Sequence, residues 1–300
     1  MKTTKFYRLS AVLLLVAIIG CAEVAKVGTE IGYQQGLITK EMKEGIVKTA
    51  EQAEAASRPM TAEEEYFLGR AVGAEILSRY PLYRNERLTR YINEIGNVVA
   101  LSSDRPVTYS GYHFAILDTD EANAFACPGG TILVTRGMLQ RTKNEDELAA
   151  VLAHEVGHVN HKDGVNSIQQ ARWIQVIATI GTAAVKTLSK GDLDKLTDLF
   201  TGSVGDVVKT IVVNGYSRDQ ELAADQSALV FLHRAGYDPF ALTSYLGRLA
   251  KEQTGGASAG FFSTHPGMDR RLAASQAYLD QQNWAPMDRT ARDRRFKQYF

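Results

Sequence analysis

The pentapeptide His154-Glu155-Val156-Gly157-His158 joins two imidazoles and a carboxylate at a spacing suited to metal-assisted hydrolysis. On an α-helix, positions i and i+4 lie ~6 Å apart along one face, so both rings can converge on one Zn2+ at ~2.0–2.1 Å. Glu155 sits one residue round from that face, within reach of a water at the metal rather than the metal itself. Zinc would bring the pKa of that water toward ~7, and the carboxylate would take its proton as the water attacks a peptide carbonyl. Leu148, Val151, Leu152, Val156 and Val159 make the surrounding segment apolar, and Glu145-Asp146-Glu147 supply an acidic first turn, so the motif lies on a buried helix. His161 falls ~10.5 Å along the axis from His154 and reads as a helix-end residue beside the site, not a third histidine ligand.

A catalytic zinc needs a third protein ligand and an open position for water, and a carboxylate is one way to supply that ligand. Glu221 is the candidate, within Tyr216-Ser217-Arg218-Asp219-Gln220-Glu221-Leu222-Ala223-Ala224-Asp225. Ser217 and Gln220 form a capping box, and Glu221 and Asp225 share a helix face one turn apart. Asp225 could orient a ligand histidine through its free N–H. Taken by itself, such an acidic pair is more often a solvated helix face. Cys127 lies beside a turn with no Cys-His signature and reads as a packed thiol. His113 and His233 read as structural.

These residues need helices to hold them, and the pattern supplies them. Thr61 with Glu64 makes a capping box ahead of Phe67, Leu68, Ala71, Val72, Ile76 and Leu77 at helical spacing. A second helix is expected from Glu86 to about Leu101. Short strands are expected at Val107 to Tyr109, His113 to Leu117, Asn123 to Cys127 and Thr131 to Thr135, with a turn at Pro128-Gly129-Gly130. Beyond Gly137 the chain reads as helix at Asn144 to His161, Val165 to Leu188, Leu193 to Val213, Ser217 to Ala235, Pro239 to Lys251 and Met268 to Gln282. The fold class is therefore mainly α with one small β-sheet. The apolar stretch Trp173 to Val185 is interrupted by Gln175 and is shorter than the ~20 residues of a membrane span; it reads as a core or lid helix.

Four segments resemble the zinc peptidase family of the CAAX prenyl proteases, the HtpX membrane proteases and the BepA-type periplasmic proteases, which are gluzincins. They are Asn123-Ala124-Phe125-Ala126 with Pro128-Gly129-Gly130, His154 to His158, Ser217 to Asp225 with its Glu-x-x-x-Asp, and Ser263-Thr264-His265-Pro266. The resemblance implies one Zn2+ per chain on His154, His158 and Glu221, with Glu155 catalytic and Asp225 orienting a ligand histidine. It also implies that Asn123 and the strand Thr131 to Thr135 line the cleft, the substrate backbone adding to the sheet edge. His265 would face the metal from a loop, either hydrogen-bonding the oxyanion or filling the open zinc position in a latent state. Unaided by the family, a His before Pro is more often a loop residue. The BepA-type branch is most similar, but its tetratricopeptide array has no counterpart in the roughly thirty residues after Pro266, which leaves array-dependent partners in question.

The 300 residues balance 34 Lys+Arg against 34 Asp+Glu and are 45% apolar, a composition with room for a sizeable core and no sign of a nucleic-acid partner. Lys2, Lys5 and Arg8 precede the apolar run Ala11 to Ile19, an export signal over residues 1–20. Ile18-Ile19-Gly20-Cys21 resembles the lipobox of bacterial lipoproteins, with Cys21 as the lipidated residue; a plain secretory signal or an uncleaved anchor are the alternatives. Ala22 in place of a retention Asp implies the outer membrane, facing the periplasm. With Cys21 lipidated, Cys127 is left alone and no intrachain disulfide can form. Residues 21–60 read as a tether or loosely packed helices, 61–284 as the peptidase domain, and 285–300 as a basic tail that either docks on the domain or binds a partner, such tails being usually solvated. The functional expectation is an envelope-anchored endopeptidase acting on unfolded or misassembled envelope proteins. The alternative is a latent zinc-binding chaperone or scaffold lipoprotein.

Overall fold

The computed structural model describes residues 22–57, 59–168, 190–254 and 264–300. The export signal with Cys21 and the Trp173 to Val185 segment lie outside the described residues. Two compact units divide the chain, one within residues 1–59 and 169–203 and the other within 60–168 and 204–300. In the first, α1 (Ala22–Gln34) and α2 (Lys40–Ser57) pack as an antiparallel pair across a turn with Gly36 at φ 64. Lys26 pairs with Glu51 at 3.2 Å and Lys43 with Glu30, while Ala25 and Thr29 close the contact without exposure. In its described part this stretch is helical, as one of the two forms expected for it. Among the described residues no helix is long and apolar enough to cross a membrane.

The second unit opens with α3 (Ala62–Arg79), whose predicted capping box is present: Thr61 Oγ1 accepts from Glu64 N–H at 3.2 Å, and Glu64 Oε2 accepts from Thr61 N–H at 2.9 Å. Leu68, Val72 and Ile76 face inward, whereas Phe67 and Leu77 are exposed. Next comes α4 (Glu86–Leu101), N-capped by Asn85, and then β1 (His113–Leu117), β2 (Ala124–Ala126) and β3 (Thr131–Thr135). The expected strand at Val107 to Tyr109 does not form. Thr108 Oγ1 bonds to Gly111 O at 2.8 Å and Gly111 takes φ 81, so the segment closes into a turn with Val107 and Tyr109 in solvent. A short helix α5 (Arg136–Leu139) leads to α6 (Glu145–His161) and α7 (Asp163–Asn166). After α8 (Lys190–Val208), which unwinds through a π-turn at Lys209–Asn214, come α9 (Arg218–Ala235), α10 (Phe240–Thr254), α11 (Met268–Gln281) and α12 (Thr290–Phe296).

The sheet order is β1-β3-β2, with β3 parallel to β1 and antiparallel to β2. The strand Thr131 to Thr135 therefore lies in the middle with both edges occupied, and a peptide cannot add to it. That corrects the expected substrate strand: its backbone donors and acceptors already serve the sheet. Helix α6 runs through the core, and every residue from Glu145 to Val159 is buried, as a helix with apolar side chains on all faces must be. Its C-terminus is held by Lys162 in a left-handed conformation, φ 57, and by Glu65 of α3. That buried carboxylate pairs with Arg105 at 3.2 Å and Lys162 at 3.3 Å and accepts from Gly129 N–H at 3.3 Å.

The basic tail, whose docking the sequence left open, packs on the domain. Phe296 is buried, and Tyr299 stacks on Tyr91 at 3.9 Å. Arg292 Nε donates to Asp146 Oδ1 at 2.6 Å, and Arg295 Nε donates to Glu145 Oε2 at 2.7 Å. The driving requirement is the acidic first turn of α6, whose carboxylates are almost fully buried and need cationic partners there. Replacing Arg292 by alanine strands Asp146. Arg292→Ala is therefore expected to lower stability by about 1–3 kcal/mol, read as a lower urea midpoint with an unchanged slope.

Candidate active site

Helices α6 and α9 bring the predicted residues together, and one glycine sets how close they come. A Cβ on Gly157 would lie 3.0 Å from Ala224 O and 3.1 Å from Ala224 Cα, so backbone meets backbone at this crossing. Gly157 falls between Glu155 and His158, and Ala224 between Glu221 and Asp225; the contact carries the acidic face of α9 onto the histidine face of α6. The capping box that starts α9 is present, with Ser217 Oγ accepting from Gln220 N–H and Gln220 Oε1 accepting from Ser217 N–H. His265 enters from the turn before α11, buried to 2% exposure.

His154, His158, Glu221 and His265 offer four donor atoms within 4.8 Å of one another. His154 Nε2 lies 3.1 Å from His158 Nε2, 3.3 Å from His265 Nδ1 and 3.4 Å from Glu221 Oε2. His158 Nε2 is 3.4 Å and His265 Nδ1 2.9 Å from Glu221 Oε1. The outer nitrogens are engaged by carboxylates: His154 Nδ1 with Asp225 Oδ1 at 2.9 Å, and His158 Nδ1 with Asp163 Oδ2 at 2.8 Å. A neutral imidazole whose Nδ1–H is donated carries its lone pair on Nε2. The two Nε2 atoms, 3.1 Å apart, therefore need a proton or a metal cation between them. A tetrahedral ion with ligands at ~2.0–2.1 Å has donor separations of about 3.3 Å, and the separations here match. The residues present fit a divalent metal ion.

The electrostatics agree. Burial opposes charge on His158, yet Asp163 and Glu221 push its pKa up to about 9, so positive charge is favoured where a metal would supply it. Burial likewise opposes ionisation of Asp225, and Arg271 outweighs it, holding the carboxyl below its usual value. Glu155 is buried, neither of its oxygens has a hydrogen-bond partner, and Oε1 lies 3.8 Å from His265 Nε2. It is the carboxylate left free to handle a proton.

Asn123 stands at 2% exposure, with Oδ1 accepting from Ala124 N–H at 2.9 Å and from Thr264 Oγ1 at 3.1 Å. It thus ties the start of β2 to the residue before His265. His161 is outside the cluster, its Nε2 3.0 Å from Ser227 Oγ. His113 is exposed, and His233 stacks on Trp284. Cys127 is buried; burial, followed by the charge of Glu155, pushes its thiol up to about 12, which leaves it inert.

Three neighbours went unnoticed in the sequence. Asp163 holds His158 and accepts from Gln220 Nε2 at 3.0 Å. Tyr216 stacks on the His158 ring at 4.1 Å. Arg271 is fully buried against Asp225 and Glu221. Only Arg271 left a signal: Met268, Arg271, Ser275 and Leu279 form one buried stripe on α11, and an arginine on an apolar stripe needs a buried partner.

The helix crossing makes a test possible. Alanine at Gly157 gains about 1 kcal/mol of helix propensity, while its Cβ must push α9 away. Gly157→Ala should leave stability within about 1 kcal/mol of wild type yet weaken metal binding about tenfold or more, measured by chelator competition alongside thermal unfolding.

The family model described as Peptidase family M48 matches residues 86–278. The chain is 25% identical to the Beta-barrel assembly-enhancing protease of Yersinia pestis over 228 residues, covering 76% of this chain and 46% of that protein. It is 32% identical to the Mitochondrial metalloendopeptidase OMA1 of Schizosaccharomyces pombe over 158 residues, 52% of this chain and 43% of that protein. It is 28% identical to the Metalloprotease LoiP of Escherichia coli K12 over 186 residues, 62% and 67%. The chain spans about half the length of the beta-barrel assembly-enhancing proteases it matches. The matched span contains the histidine helix, the acidic helix and the His265 turn, and the chain belongs to peptidase family M48.

Proposed function

We propose that this chain is a zinc-dependent endopeptidase of the bacterial cell envelope, with one Zn2+ held by His154, His158 and Glu221. The observation that carries the reading is the convergence of one donor atom each from His154, His158, Glu221 and His265 within 4.8 Å of one another, with the buried Glu155, whose oxygens have no hydrogen-bond partner, beside them. Zinc supplies Lewis acidity toward a peptide carbonyl and toward water. Glu155 accepts the proton of the attacking water and returns it to the leaving amine. Asp225 and Asp163 keep the Nδ1–H of His154 and His158 donated, so that both Nε2 atoms stay available. His265, with Nδ1 among the four donors, stands where a substrate oxygen must come, so the arrangement is a latent one. Once it withdraws, the same ring can donate a hydrogen bond to the oxyanion. Asn123, bonded to Thr264, is assigned to substrate binding at the β2 end of the cleft.

The substrates we assign are unfolded or misassembled envelope polypeptides, consistent with relatives named for beta-barrel assembly. Lipid on Cys21 would anchor the protein, and Ala22 after it points to the outer membrane, facing the periplasm. We assign residues 1–20 to the signal, 21–60 to a spacer, 61–284 to the peptidase domain and 285–300 to its docked tail. The plugged position of His265 favours one further reading, a zinc-binding chaperone or scaffold lipoprotein that cleaves little.

Casein-type proteolysis and zinc content, measured on protein starting after Cys21, separate the two. Wild type should cleave, and Glu155→Gln should retain zinc and lose at least about 100-fold in rate. If wild type holds zinc and cleaves no substrate offered, the scaffold reading takes over. His265→Ala should raise kcat/KM if latency dominates; a fall in kcat with KM unchanged would make the oxyanion contact its main role.

A further inference from the structure

Arg271 is the largest fully buried side chain described, at 2% exposure, and its guanidinium is spread over three groups of the site. Nε donates to Asp225 Oδ2 and Nη2 to Asp225 Oδ1, both at 2.7 Å, in the two-pronged geometry that a planar guanidinium offers a carboxylate. Nη1 lies 2.6 Å from Glu221 Oε2. Nη2 is also 3.4 Å from His154 Nδ1. The contacts sort the atoms of the site. Asp225 Oδ1 is held where it meets His154 Nδ1 at 2.9 Å. Glu221 Oε2 is shared between the guanidinium and His154 Nε2, which lies 3.4 Å from it, while Oε1 faces His158 Nε2 and His265 Nδ1 at 3.4 and 2.9 Å.

We infer that Arg271 is a positioning residue of the metal site: by gripping Asp225 through two bonds and Glu221 through one oxygen, it sets the imidazole of His154 and presents a single oxygen of Glu221 to the metal. The inference rests on the reading that His154, His158 and Glu221 hold the ion. A carboxylate binding through both oxygens would use up the position that a substrate must take, so a partner on Oε2 favours the open coordination that catalysis needs. An ammonium has no fork and cannot reach both carboxylates at once. The approach from α11 matters as well, because Arg271 lies six residues beyond His265 and connects its turn to the acidic face of α9.

The test is zinc affinity by competition with a chromophoric chelator, with metal-free and zinc-loaded melting recorded on the same samples. Arg271→Lys should bind zinc about 10–100-fold more weakly than wild type, and methylguanidinium should restore part of the affinity to Arg271→Ala. Zinc should also raise the melting temperature of Arg271→Lys by less than that of wild type. If Arg271→Lys melts earlier but binds zinc within about threefold of wild type, Arg271 is only packing and the inference falls. Should Arg271→Lys fail to fold, Arg271→Gln/Asp225→Asn, which removes both charges together, is compared with Asp225→Asn alone. A further loss of affinity in the double variant supports the contact to Glu221, and no further loss overturns it. A wild-type protein that binds no zinc would instead sink the metal assignment itself.

Discussion

The close crossing of α6 and α9 is the constraint on which the rest of the site depends. Glycine between the two histidines and alanine between the two acids let the helix backbones touch. Only at that separation can short carboxylate side chains from one helix meet imidazoles from the other. The inner donor atoms that result all lie within 4.8 Å of one another, as groups arranged around a common centre do. Everything outside the pair then acts to stop the helices drifting: Glu65 at one end of α6, the docked tail at the other, and α11 across the acidic face of α9.

Burial of so many charges is costly, and the fold meets the cost by pairing. Glu155, Asp163, Glu221 and Asp225 are all nearly free of solvent contact. Arg271 and a divalent cation together offset most of that negative charge. Glu155 is the acid that no hydrogen bond satisfies, a destabilising feature in any ordinary core. Buried acids without a hydrogen bond belong to sites where the group has a task with a proton. Packing reinforces the arrangement, since Tyr216 covers one face of His158 while its N–H donates to Thr264 O at 3.1 Å. A single residue thus touches both the histidine helix and the turn carrying His265.

Much of this was legible in local patterns. The helix Glu86 to Leu101, both capping boxes and the histidine helix follow from periodicity and end signals, which depend on neighbours within one or two turns. Spacing alone put His154 and His158 on one face. Glu221 needed family resemblance, because an acidic pair at i and i+4 looks the same on a wet surface. What stayed hidden was non-local. The central place of β3 depends on which strands cross over, and a five-residue apolar run does not encode that. Val107 to Tyr109 has strand composition, but the contact from Thr108 to Gly111 closes it into a turn. The docking of the tail stayed open because its partners, Asp146 and Glu145, lie 146 and 150 positions earlier. Asp163 gave no sign, since an acid just past a helix end is commonplace.

That long separation sets an order of events in biosynthesis. The histidine helix begins with three consecutive acids, and their arginine partners are Arg248, Arg292 and Arg295. A chain emerging from the N-terminus makes the whole zinc motif well before it makes those arginines. Until they arrive, the start of α6 holds charges with nothing to neutralise them, and that end of the helix has no reason to bury itself. The acidic start of the histidine helix can therefore be fully paired only once Arg292 and Arg295 have been made.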